Sequence, residues 1–158
     1  RVNIKAKVAA FLGEVPLPGQ IRELPLDQQP YWHLERARID NTRNVKVELV
    51  VNGYPVSEKI ILADGSINNI EFDYNVRKSS WFALRIYKSS HSNPIWVLVD
   101  GKPVRASKRS AEWCLKSVDQ CWDQKERFIA NDEMADALSA YEHARIEYKK
   151  IIKESSLD

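Results

Sequence analysis

Glycine is scarce in this chain: five residues in 158, three of them in the pairs Asn52-Gly53, Asp64-Gly65 and Asp100-Gly101. Phosphate-cradling loops and the Gly-x-Ser-x-Gly elbow both need glycine at fixed spacing, and neither motif occurs. Histidine occurs three times, at His33, His91 and His143, in three separate segments. No His-Glu-x-x-His and no Cys-x-x-Cys is present, so the close-spaced ligand pairs of most zinc sites are missing. Cysteine occurs twice, at Cys114 and Cys121. On one helix these two lie about 10 Å apart along the axis at 1.5 Å per residue, beyond the ~7 Å limit for a disulfide. They read as buried thiols. No apolar run approaches the ~20 residues that cross a bilayer. Lys plus Arg number 24 against 22 Asp plus Glu, too even a balance to hold a polyanion, so nucleic acid and membrane are not expected partners.

What is present is ordinary globular composition, 44% apolar and 29% charged. Val2, Ile4, Ala6 and Val8 alternate with Asn3, Lys5 and Lys7, the period of a half-buried strand. The stretch 14–30 carries Pro16, Pro18, Pro25 and Pro30 and predicts a long surface loop. YWHLERARIDN reads as an edge strand. Val45, Val47, Leu49 and Val51 alternate again and stop at Asn52-Gly53, the strongest short hairpin signal. Strand signals then recur about every ten residues through Ile70–Tyr74, SSWFALRIYK and PIWVLVDGKPV, with Asp64-Gly65 and Asp100-Gly101 as further hairpin turns. SSWFALRIYK predicts a strand covered on both faces. No helical pattern separates the strands, which excludes a parallel crossover sheet.

After Val104 the period becomes helical. Cys114, Val118, Cys121 and Trp122 fall on one stripe, Ser107 is the expected N-cap, and Asn131 is the expected cap of a second helix through Met134, Leu138, Tyr141, Tyr148 and Ile152. The predicted fold is mainly β with α: an antiparallel immunoglobulin-like β-sandwich over 1–106, followed by a two-helix hairpin over 107–158 packed on it. Of the five tryptophans, most stand at strand or helix positions and are expected in the core.

Two local features point to contacts rather than catalysis. Arg105, Lys108 and Arg109 surround a helix start, where exposed amides and basic side chains suit a carboxylate or phosphate; pairing with Glu112 or solvation is the plainer outcome. Asn93 before Pro94 favours an extended turn, with His91 projecting from a loop tip. His143 and Glu147, one helical turn apart, read as an exposed pair rather than metal ligands. No catalytic, cofactor or metal residue is assigned in this chain.

The run from Ser79 to Ile129, with "SW-ALR", "H-NP", "GKP-RAS-RSAEWCLK" and "DQCW-QKERFI", resembles the C-terminal region of CehA/McbA-type metallohydrolases, relatives of the polymerase and histidinol phosphatase superfamily. VELVVNGYPV and YEHARIEYKKI fit the same resemblance, which covers the chain from about Pro30 onward. It implies a sandwich accessory domain with a helical tail, packed against a metal-dependent hydrolase domain that carries the divalent metal. None of that domain's ligand motifs matches a position here. Arg85, His91 and Asn93 lie in the resembling motifs and are expected at an interdomain contact. Starting at Arg1 inside a strand-like run, the chain reads as a non-catalytic module of a larger protein. The expected partner is that protein's catalytic domain, homo-oligomerisation is open, and the compartment is either cytoplasmic or periplasmic and secreted. A free-standing carbohydrate-binding sandwich is the alternative.

Overall fold

A computed structural model describes residues 1–17 and 33–155. The expectations for Pro18, Pro25, Pro30 and Trp32 lie outside these residues. The chain divides into two units, Arg1–Lys102 and Pro103–Asp158.

The first unit is an antiparallel sandwich of two sheets. β1 (Val2–Val8) pairs with β4 (Asn68–Tyr74), Val2 opposite Tyr74 and Val8 opposite Asn68. In the larger sheet β2 (Asn44–Val51) runs between β3 (Tyr54–Leu62) and β5 (Ser80–Ile86). The free side of β5 takes β6 (Ser90–His91) and β7 (Ile95–Val97). The order β1-β4 against β3-β2-β5 with β6 and β7 is immunoglobulin-like: strands B and E on one side, C′, C, F and G on the other.

Alternation decides what is inside. Side chains of β1 are half-buried and exposed by turns, as its sequence period requires. Val45, Val47, Leu49 and Val51 of β2 meet Ile61, Ile70, Phe72, Phe82 and Ile86 in one core. Phe82 stands edge-on to Tyr74, ring centres 5.5 Å apart. Coverage on both faces, expected of β5, is more complete on β2, where every residue from Val47 to Val51 is buried.

Turn chemistry was legible at one pair and misread at two. Asn52 and Gly53 both have positive φ, 52° and 96°, as a type I′ hairpin demands. Asp64-Gly65 instead carries the chain from one sheet to the other, with Asp64 Oδ1 accepting from the Ser66 amide and Gly65 N–H donating to Ala10 O. Asp100-Gly101 also turns, but no strand returns after it among the described residues; the chain proceeds to a helix.

The predicted edge strand at 31–41 is a correction. Leu34–Ala37 forms a 3-10 turn, capped by His33 Nδ1 accepting from Glu35 N. The cause is a charge pair three residues apart. Arg38 Nε donates to Glu35 Oε1 at 2.6 Å, and its Nη atoms reach Gly13 O and Thr42 O. Both side chains are almost wholly buried, so each charge needs the other and the carbonyls around it. Among the described residues of this segment Arg38 alone keeps a strand-like bridge, to Val45.

The second unit is a helical hairpin. α1 (Lys108–Lys125) starts at Ser107, whose hydroxyl accepts from Ser110 N as predicted. A 3-10 turn at Glu126–Phe128 leads towards α2 (Met134–Glu154). Asn131 is not the cap: α2 begins after Glu133, which makes no side-chain capping bond. Trp122 meets Tyr141 edge-on at 5.0 Å. Cys114 and Cys121 are free and half-buried rather than buried. Among the described residues of this unit Ala111 alone is fully buried. No helix of the described chain is long and apolar enough to cross a membrane.

Candidate interaction surface

The outer face of the larger sheet gathers two of the six predicted contact residues, Arg85 and His91. Since Phe82 and Leu49 point to the core, Trp81, Ala83 and Arg85 of β5 and Glu48 and Val50 of β2 point away from it. Register then places Glu58, Glu48, Arg85 and His91 in one line across four strands. Val50 and Ala83 form the adjacent line, and Trp81 opposite Trp96 the next. One face thus carries an aromatic end and a charged end.

The charged end is internally matched. Arg85 Nε donates to Glu48 Oε2, and its guanidinium lies 4.8 Å from the Tyr87 ring centre. This pairing explains how Glu48 tolerates 9% exposure. Lys46 meets Glu58 at 2.7 Å, and that hydrogen bond holds the ammonium above its ordinary pKa. Arg85 is therefore committed within the face rather than free for a partner.

His91 belongs to the bordering strand β6, and Asn93 to the segment between β6 and β7. His91 is not at a loop tip: it sits in β6 opposite Arg85, exposed, with Nδ1 3.0 Å from Ser92 O. Between the pairs Arg85–His91 and Phe82–Ile95, Ala83 and Leu84 oppose Ser92, Asn93 and Pro94. That extra residue is a bulge, which suits a proline that has no amide to donate. Ser92 secures it, exchanging bonds with Leu84 through its amide and hydroxyl and donating the hydroxyl to Asn93 O.

The aromatic end was missed. Trp96 is 61% exposed on the face and Trp113 of α1 is 69% exposed, where core positions were expected. For Trp113 a signal existed, since it falls one residue off the helical stripe. For Trp96 there was none, because alternation alone does not say which face is covered. Trp81 is held by its neighbours: Asn52 Oδ1 accepts from Trp81 N, Asn52 Nδ2 donates to Ser80 Oγ, and the ring lies 3.9 Å from where a Cβ on Gly53 would stand.

The remaining predicted residues sit in the helical unit. Arg105 Nε donates to Glu154 Oε2 at 2.8 Å, joining the segment before α1 to the end of α2. Lys108 reaches Glu112 at 4.0 Å, the pairing weighed above. Arg109 has no ion-pair partner among the described residues. His143 is exposed and Glu147 pairs with Lys150 at 4.0 Å. Among the described residues no three His, Cys, Asp or Glu side chains are placed to hold a metal ion.

No family model, curated protein or solved structure matches this chain.

Proposed function

We infer that this chain is a non-catalytic interaction module, the accessory region of a metal-dependent hydrolase of the CehA/McbA type. The parent enzyme rests on the motif resemblance between Ser79 and Ile129. The interaction role is carried by one observation: Trp96 stands 61% exposed beside half-buried Trp81, bordered by charges already paired with each other. A tryptophan of this kind is the usual anchor of an interface, and a matched rim needs little rearrangement when covered. The partner on this reading is the parent's own catalytic domain, which holds the divalent metal; this chain contributes contact area and rigidity.

Calorimetry of the chain against the parent's catalytic domain tests it. Trp96→Ala should weaken binding at least about tenfold, while Arg1→Ala, far along the sequence on β1's flank, should leave it unchanged. No measurable association, or turnover by the purified chain itself, would sink the reading. The carbohydrate alternative has one observation in its favour, the cross-strand pairing of Trp81 with Trp96. Retention on a polysaccharide column that Trp96→Ala abolishes, without binding to the catalytic domain, would select it.

A further inference from the structure

The strand edges of the sandwich are not alike. β3, at one end of the larger sheet, carries Pro55, a bulge opposite Leu49 and Val50, and Lys59 turned inward over the Phe72 ring at 5.7 Å. The other end of that sheet carries the bulge at Pro94. Proline, bulges and inward charges are the devices that keep a foreign strand from adding to an edge. β1 has none of them. Its seven residues hold no proline, pair with β4 in unbroken register, and turn Val2, Ile4, Ala6 and Val8 to the core.

Among the described residues β4 is the single partner of β1. In an antiparallel pair, alternate residues turn their amide and carbonyl groups to the neighbour and the others turn theirs away. About half of the β1 backbone groups therefore face outward along its other edge. The inner row of β1 also lacks cover. Ile70 and Phe72 of β4 are 5% and 3% exposed, whereas the four apolar residues of β1 are half-buried on the same core. A strand added beside β1 closes that row; beside β4 the row is closed already.

Charge selects the occupant. On the outer face Arg1 and Lys5 meet Asp73 and Glu71 of β4 at 2.9 and 3.9 Å. Lys7 stands opposite Asn69 and has no ion-pair partner among the described residues. Every charged side chain of residues 1–8 is positive, and a hollow of about 400 Å³ leaves Lys5 and Lys7 reachable. A second copy would bring its own lysines to this line, and like charges opposite each other are unfavourable. An acidic strand is attracted by the same groups.

We propose that β1 is the docking edge for an extended peptide segment in which apolar residues alternate with acidic ones. Laid antiparallel, the segment makes a third strand of the smaller sheet. Its apolar side chains extend the row of Ile4 and Ala6, and its carboxylates stand opposite Lys5 and Lys7. Backbone bonds hold such a segment, and alternate side chains specify it. The edge belongs to the smaller sheet, whereas Trp96 stands on the larger one.

Nuclear magnetic resonance titration of the full chain with the peptide Val-Glu-Val-Glu-Val-Thr-Val reads both affinity and place. Saturable shifts of β1 amides are expected, with a Kd on the order of 100 µM. Lys7→Glu, at an exposed position facing Asn69, should weaken binding at least about tenfold. The same peptide with lysine in place of glutamate should not bind. N-methylation of the peptide at alternate residues should abolish binding in one frame and spare it in the other, because an added strand uses every second amide. That arm needs no variant of the protein. No shift of β1 amides at about 1 mM peptide overturns the proposal. So does indifference to Lys7→Glu, or equal binding of the acidic and basic peptides or of the two methylated forms. Slow hydrogen exchange at every β1 amide of the peptide-free chain also overturns it, since the edge would then be covered already. Trp96→Ala should leave peptide binding as it was, so failure here and failure of the sheet-face reading are separate results.

Discussion

The two units of this chain reach order by different means. In the sandwich, Val45, Leu49 and Ala63 have no exposure at all, and even a glutamate and an arginine are enclosed. Among the described residues of the hairpin one alanine is fully buried, and the larger side chains along the helix contact stay half-open. A strand's hydrogen bonds go to its neighbours, so a sheet holds together through partners distant in sequence and collects a core as it forms. A helix satisfies its backbone hydrogen bonds within itself, so its ladder needs no partner distant in sequence. The hairpin's order is thus local, through its cap and its ion pairs, whereas the sandwich's order is collective.

The largest effect should come from the enclosed pair. Arg38→Met removes the guanidinium that bonds both oxygens of the buried Glu35 carboxylate, and chemical denaturation should show a loss of about 3–5 kcal/mol. Arg145→Met removes an arginine of similar hydrogen bonding from the hairpin, whose partners Asp119 and Glu142 are 53% and 55% exposed. It should cost far less than the Arg38 change, because solvent screens exposed pairs. Equal losses in the two variants would erase the contrast.

A smaller effect tests the claim that helical order is local. Ser107→Ala deletes the hydroxyl that caps Ser110 N and should lower stability by about 1 kcal/mol. The change should appear in the helical signal while protection of β2 amides from hydrogen exchange stays as it was.

The smallest effect separates the units by pH. In the sandwich, Asp73 is held below its ordinary 3.8 by hydrogen bonds from Asn3 and Arg1, and Asp64 by those from Ser66. A lowered carboxyl pKa contributes stability that is present above 3.8 and lost as pH falls through the folded value. In the hairpin, the hydrogen bond with Cys121 raises Tyr141, and the charge interaction with Cys114 raises Tyr148, above 10.0. Their contribution is present below 10.0 and lost as pH rises through the folded values. Acid should therefore erode the sandwich first and strong alkali the hairpin first, followed by tryptophan fluorescence and helical dichroism. The reverse order would remove the electrostatic part of the comparison.

Much of this architecture could be read directly. The alternation of β1 and β2, the Asn52-Gly53 hairpin and the Ser107 cap are local signals with local causes, and each appears where the spacing placed it. The failures have a common origin. Glu35 and Arg38 turned an expected strand into a 3-10 turn because their charges close on each other and on Gly13 and Thr42, one of them far back in the chain. Asp64-Gly65 carries the same dipeptide type as a hairpin, yet the next strand belongs to the opposite sheet. Arg85 and His91 were singled out without their alignment beside Glu48 being foreseeable.

Periodicity, turn residues and capping determined by themselves that this chain makes antiparallel strands and then two helices. They act over a few residues, within reach of backbone geometry alone. Which charges are neutralised, which of five tryptophans meet solvent, and which strand edge stays open were decided only in three dimensions. Those outcomes depend on register and on the covering of one face by another, and two residues thirty-seven positions apart, such as Glu48 and Arg85, carry no mark of each other until the strands between them have paired.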